Sequence, residues 1–259
     1  MGFSWQLSAS LARYLVWNKL RRRKRFPLVL MLEPTFKCNL TCAGCGRIRE
    51  YHDIVQRMMP AEECLAAVGE SGAPVVSVTG GEPLLHPEIG QIVNGIISRG
   101  KFVNLCTNGL LLKDSLGKFT PSPYLSFVLH LDGLAETHDG FAGRKGVFDT
   151  AIAGIKAAKK AGFSVLINTT IYKGTNLAEV EQLFTLLGQI PINGMMVSPA
   201  FSYDAVSNEV FLSRQQIVTA FQSVFALPRR VPFYNTPIYR EFLAGKERVE
   251  VRPMEHTDA

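Results

Sequence analysis

Three cysteines, Cys38, Cys42 and Cys45, stand at the spacing CxxxCxxC directly after the apolar run Leu28 to Leu32. Thiolates this close can hold a metal. Three of them are one short of a closed tetrahedral zinc site or a four-cysteine iron–sulfur site. His52 could complete a zinc site, or the thiols could be buried neighbours with no metal at all. A third reading gives the vacancy a use. A [4Fe–4S] cluster on three cysteines keeps one iron open, and a small molecule can chelate it. The spacing alone leaves all three open.

The next run, Pro74 to Thr79, ends in Gly80-Gly81-Glu82-Pro83. Two glycines at a strand end allow close backbone approach and unusual dihedrals. Glu82 then sits on a rim whose carbonyl groups can accept hydrogen bonds from a ligand ammonium. Further along, strand parity sorts the polar residues by face. In 101–108, Asn104, Cys106 and Asn108 point away from the apolar Val103 and Leu105. In 125–132, Ser126, Val128, His130 and Asp132 share a face. In 163–171, Ser164, Leu166, Asn168 and Thr170 do the same. Polar side chains pointing into a barrel need partners, from the fold or from a ligand. Cys64, among Leu65, Ala66 and Val68, reads as core.

These residues need a frame, and the hydrophobic patterning supplies one. Strands are expected at 28–33, 74–79, 101–107, 125–131, 163–171 and 192–198. Helices are expected at 60–71, 87–99, 147–161, 176–189 and 212–226. The strand runs are β-branched or continuously apolar, as where helices cover a sheet. Acids open the helix at Pro60, and Gly100 and Gly162 close two others. Six βα units in series imply an α/β fold, a partial (βα)6 parallel barrel of TIM type with chemistry at the strands' C-terminal ends. A doubly wound open sheet is the competing topology.

At 259 residues, 47% hydrophobic and 19% charged, the chain suits one large core and not a disordered polymer. Five cysteines, an odd number clustered towards one end, fit a reducing compartment better than a disulfide framework. The net charge of +6 is concentrated. Arg13, Lys19, Arg21, Arg22, Arg23, Lys24 and Arg25 fall within residues 1–27 with no acid, leaving 21 basic against 22 acidic residues elsewhere. Residues 4–20 read as a helix carrying Leu7, Leu11 and Leu15 in one row, with Trp5, Tyr14 and Trp17 nearby. The charges follow the apolar part, unlike a secretory signal. No run reaches the roughly 18 apolar residues of a spanning helix. A basic amphipathic helix with tryptophans can lie in a membrane interface, or pack on its own domain. Nucleic acid is not an expected partner, because no aromatic-interleaved basic pattern recurs. The division expected is a basic amphipathic arm (1–26), a barrel (27–245) and a polar, frayed tail (246–259).

CxxxCxxC after the first strand and GGEP after the second resemble the signature of the radical S-adenosylmethionine superfamily. The resemblance implies that Cys38, Cys42 and Cys45 bind three irons of a [4Fe–4S] cluster. S-adenosylmethionine would chelate the fourth, and Gly80, Gly81 and Glu82 would receive its amino group. Asn108, His130, Asp132, Asn168 and Ser198 would complete its pocket. Many members carry an aromatic residue before the third cysteine, where this chain has Gly44. The stretches MLEPTFKCNLTCAGCGRI, GAPVVSVTGGEPLLH, KFVNLCTNGLLL and HLDG resemble, more closely, the adenosylhopane synthases of hopanoid biosynthesis. That resemblance implies addition of a 5′-deoxyadenosyl radical to the terminal alkene of a hopene (diploptene). Cys106 would then donate a hydrogen atom to the resulting carbon radical. It also implies a reductant such as flavodoxin or ferredoxin, and a cytoplasmic enzyme peripheral on the inner face of a bacterial membrane, held through residues 4–25. Family members continue past Phe242-Leu243-Ala244-Gly245 with further cysteines, where this chain departs from the pattern. Two other readings fit the same residues. One is hydrogen abstraction on another lipid or small molecule. The other is a shortened, inactive relative that acts as a membrane-associated binding protein.

Overall fold

The apolar runs resolve into six strands: β1 (Val29–Thr35), β2 (Val75–Gly80), β3 (Phe102–Thr107), β4 (Leu125–His130), β5 (Ser164–Ile171) and β6 (Gly194–Pro199). They are hydrogen-bonded in sequence order, every neighbour parallel, in one sheet. The structure is a computed structural model and describes residues 5–46, 49, 51–200 and 208–246. A doubly wound sheet would reverse its strand order at a switch point. This one runs from β1 to β6 without reversal and leaves those two strands unpaired with each other among the described residues. It is a partial barrel.

The helices are α1 (Trp5–Leu20), α2 (Ala61–Ser71), α3 (Ile89–Ser98), α4 (Leu112–Ser115), α5 (Ala135–Ala142), α6 (Val147–Lys160), α7 (Leu177–Leu187), α8 (Arg214–Ala226) and α9 (Pro237–Leu243). The crossover helices cover the outer face of the sheet. Val76, Val78, Leu105, Phe127, Leu129, Val165, Ile167 and Val197 are buried there against Ile92 and Ile96 of α3, Ile155 of α6 and Phe184 of α7. Each such side chain contributes about 1.5–3 kcal/mol on burial. Phe127 meets Phe119 and Phe163 edge-on. Cys64 is fully buried in this same layer. The opposite parity turns inward. Asn104, Cys106, Ser126, His130, Asn168 and Ser198 are only half-buried. Register brings His130 beside Asn168 and Thr170 beside Ser198 at the strands' C-terminal ends.

The N-terminal helix differs from the expected row. Leu7 and Leu11 are half-buried, but Leu15 is exposed, as are Trp5, Val16, Trp17 and Leu20. Its inward residues are Leu7, Leu11, Tyr14 and Asn18. Tyr14 packs edge-on against Phe26 and donates its hydroxyl to Pro27 O at 2.9 Å. The helix is thereby pinned by the segment that follows it. Its solvent side is apolar too, so its two faces contrast less than an amphipathic helix requires. The expected tail falls outside the described residues beyond Lys246.

Candidate active site

The turn after β2 is shaped by close approach. Gly80 has φ of +107°, and a Cβ there would fall on the Thr35 carbonyl oxygen. A Cβ at Gly81 would fall on the Lys37 carbonyl. Only glycine fits either position. Gly81 N donates to Thr35 O at 2.9 Å, and Glu82 N donates to Lys37 O at 2.8 Å. The GG turn is therefore laid directly on the segment that enters the cysteine loop.

Glu82 is 1% exposed, and its carboxylate is occupied by its own chain. Oε1 accepts from Leu84 N at 3.0 Å and Thr107 Oγ1 at 2.9 Å, and Oε2 accepts from Asn108 N at 2.8 Å. Burial pushes its carboxyl up to about 7, although the three hydrogen bonds pull the other way. The side chain fastens the end of β2 to the end of β3. Asn108 carries the tie onward by donating Nδ2 to Asn39 Oδ1 at 2.7 Å, inside the cysteine loop.

The loop is held from the other side by α5, where Ala43 N donates to Phe141 O at 2.8 Å. Arg49 Nη1 donates to the carbonyls of Cys42, at 3.1 Å, and Cys45. All three loop thiols are half-buried and free. Burial raises the Cys38 thiol and pushes that of Cys42 up to about 12, and the neighbouring thiols add to both shifts. Metal binding there must displace protons. Three soft thiols on one short loop, facing a cavity, are a donor set that fits an iron–sulfur cluster. Among the described residues no three ligands converge closely enough for a single ion. The side chain of His52, the fourth ligand of the zinc alternative, lies outside the described residues.

The polar groups of β4 and β5 form one network. Asp132 Oδ1 accepts Thr170 N at 2.7 Å, and Oδ2 lies 2.6 Å from His130 Nε2. Burial pulls the His130 imidazole down, but the Asp132 charge and hydrogen bond outweigh it and hold the ring above its ordinary value. Asn168 Nδ2 approaches His130 Nδ1 at 3.5 Å. His138 Nδ1 accepts Asp132 N at 3.3 Å, and burial lowers that ring's pKa.

These elements enclose a cavity of about 440 Å³. Of the residues singled out in the sequence, Cys38, Cys42, Cys45, Gly81, Glu82, Cys106, Asn108, His130, Asp132, Asn168 and Ser198 line it, while Gly80 of the same turn does not. Cys106 Sγ lies 3.6 Å from Ser77 Oγ, and burial raises its thiol pKa. Thr107, His138, Phe141, Thr170 and Tyr172 line the cavity as well, though sequence reasoning gave them no role there. Thr170 was legible by parity. Tyr172 continues that parity one residue beyond the expected strand, whereas Phe141 belongs to no periodic run.

A family model described as the radical SAM superfamily matches residues 32–187, and a Domain of unknown function, DUF3463, matches residues 195–258. Among curated relatives, the chain is 33% identical to an AdoMet-dependent heme synthase of Methanosarcina barkeri over 63% of this chain and 48% of that protein. It is 30% identical to an Fe-coproporphyrin III synthase of the same organism over 70% of this chain and 42% of that protein. The chain thus spans about half the length of the curated relatives it matches. Among solved structures, SuiB of Streptococcus suis superposes with TM-score 0.66 at 19% identity, covering 86% of this chain and 52% of that one. The AdoMet-bound anSMEcpe superposes with TM-score 0.64 at 18% identity, over 80% and 61%. Both share the fold.

Proposed function

We propose, for a chain that belongs to the radical SAM superfamily, that it transfers the 5′-deoxyadenosyl group of S-adenosylmethionine to the terminal alkene carbon of a hopene-type triterpene. The superfamily works with a [4Fe–4S] cluster and S-adenosylmethionine. When bound, that cluster would supply the electron for reductive cleavage of the sulfonium. Cys38, Cys42 and Cys45 would hold that cluster. The Gly80–Glu82 turn and the His130–Asp132–Asn168 network would orient the nucleotide, and the enclosing strands would keep water from the radical. The observation that carries the reading is the placement of Cys106. Its thiol lines the same cavity as the three loop cysteines, yet stands on β3, outside that loop. Adenosyl addition leaves a tertiary carbon radical one hydrogen atom short. The weak S–H bond of Cys106 breaks, the hydrogen atom completes the new C–H bond, and a thiyl radical remains. A flavodoxin- or ferredoxin-type protein returns an electron, and with a proton the thiol is restored.

The choice of a triterpene rests on the sequence resemblance and on the arm. The exposed side of α1 carries Trp5, Ala9, Ala12, Val16 and Leu20 in one stripe, with exposed Arg13 and Lys19 beside it and Arg21 to Arg25 after it. Arg21 lies over the Trp17 ring at 4.2 Å. The basic cluster suits the surface of an anionic bilayer, in whose acyl interior this substrate dissolves, and charge rather than helix amphipathicity supplies the attraction. No helix among the described residues is long and apolar enough to cross a membrane.

The test is anaerobic reconstitution with reductant, S-adenosylmethionine and diploptene, followed by mass analysis. An adenosine-bearing triterpene is expected. Cys106→Ala should still cleave S-adenosylmethionine while yielding little reduced adduct, and unchanged yield removes the donor role. The relatives named for heme and Fe-coproporphyrin synthesis favour a second reading, hydrogen abstraction on another substrate. That would give 5′-deoxyadenosine with no adduct.

A further inference from the structure

Gly44 stands immediately before the third cysteine, and the space a side chain there would need is already taken. A Cβ on Gly44 would lie 2.6 Å from Tyr172 Cε1 and 3.0 Å from its hydroxyl oxygen. Tyr172 follows β5 directly and is 9% exposed. Its ring stacks on Phe141 of α5, with centroids 4.5 Å apart and planes 18° apart. Ala200, Phe211 and Val210 pack with this pair, and Ala200 lines the cavity beside it. Both rings line the cavity, together with the polar side chains of His130, Asn168, Thr170 and Ser198. One end of the cavity is thus flat and apolar with hydrogen-bonding groups at its margin. That is the complement of a heteroaromatic base, whose faces stack and whose edges are polar.

We propose that the Tyr172–Phe141 stack is the wall against which the purine base of the nucleoside cofactor lies, replacing from β5 and α5 a side chain that position 44 lacks. Gly44 is then a consequence of Tyr172, since the two positions cannot both carry a ring. The inference rests on membership of the superfamily and not on the alkene reading. A chain that failed to make any triterpene adduct would leave it standing.

The experiment uses cluster-reconstituted, anaerobic protein and reads binding rather than turnover. The probes are S-adenosylhomocysteine, which carries the base, and methionine, which does not. Dissociation constants come from equilibrium dialysis, and iron per chain is measured on the same samples. Tyr172→Ala is expected to weaken S-adenosylhomocysteine about tenfold, leaving methionine binding and iron content as in the wild type. Tyr172→Phe should bind like the wild type. Phe141→Leu, which keeps much of the volume but loses the flat face, should weaken S-adenosylhomocysteine in the same direction. Gly44→Phe alone should weaken it, and Gly44→Phe combined with Tyr172→Ala should recover most of the loss by returning one ring to the same space. Unchanged S-adenosylhomocysteine binding in Tyr172→Ala would overturn the proposal. So would an equal loss for methionine, or a loss of iron, either of which would make the stack a wedge for the cysteine loop.

Discussion

Glu82→Gln tests whether the turn after β2 is fastened as the structure draws it. The wild-type carboxylate satisfies three buried donors, two through Oε1 and one through Oε2. Glutamine has one oxygen. Its better orientation keeps the bonds to Leu84 N and Thr107 Oγ1 and turns an NH₂ towards the Asn108 N–H. A buried donor left unmet costs about 1–3 kcal/mol. The cost should also depend on pH. Burial holds the Glu82 carboxyl at about 7, above its ordinary 4.5. A group raised in the folded state contributes stability that is fully present below the unfolded value and lost as pH rises through the folded one. Between about pH 6 and about pH 8.5 this loss is on the order of 1 kcal/mol for the wild type. The glutamine variant loses nothing by this route. The wild type should therefore be clearly more stable near pH 6, and the gap should narrow by about 2–4 °C in Tm near pH 8.5. Thermal unfolding followed by circular dichroism at the two pH values reads both effects. Parallel pH profiles, or a variant as stable as the wild type near pH 6, would refute the reasoning.

Two further outcomes follow from the same contacts. Asp132→Asn removes the charge that lifts His130, so burial alone should then hold the imidazole below its ordinary value. The stability that His130 contributes is present below about 6.5 and is lost as pH rises through its raised value. In the variant this contribution should vanish, and an NMR titration of the His130 ring protons would register the fall. Replacing Arg21, Arg22, Arg23, Lys24 and Arg25 with glutamine should weaken binding to anionic vesicles by about fivefold per residue, at about 1 kcal/mol each near the surface. Cosedimentation unaffected by the substitutions would separate the arm from any lipid surface.

Much of the barrel was legible because its helix-covered face repeats. The β-branched runs placed all six strands within a few residues, and parity turned Cys106, His130 and Asn168 inward. β1 runs on through Pro34, past the expected end at 33, because as an edge strand it can carry a residue with no N–H. The helix Ala135–Ala142 had no such signal. Its sequence, AETHDGFA, is polar and has no side-chain cap of its own. What starts it is Glu179, which accepts Leu134 N at 2.7 Å and Thr137 Oγ1 at 2.8 Å from far along the chain.

The site follows the same rule in sharper form. Its residue types were readable, since thiols at close spacing and a double glycine at a strand end are local signals. Its joinery was not. Glu82 looked free to meet a ligand until Thr107 and Asn108 claimed its oxygens, and Gly44 looked like a gap until Tyr172 filled it. Each tie joins residues far apart in the sequence, so it leaves no period in either segment. Parity can tell which side chains face a cavity, but whether a facing group is available to a ligand depends on partners that only the closed sheet brings near. A carboxylate with all its donors supplied by the chain positions the turn. A stacked ring pair that lines the cavity can receive a guest.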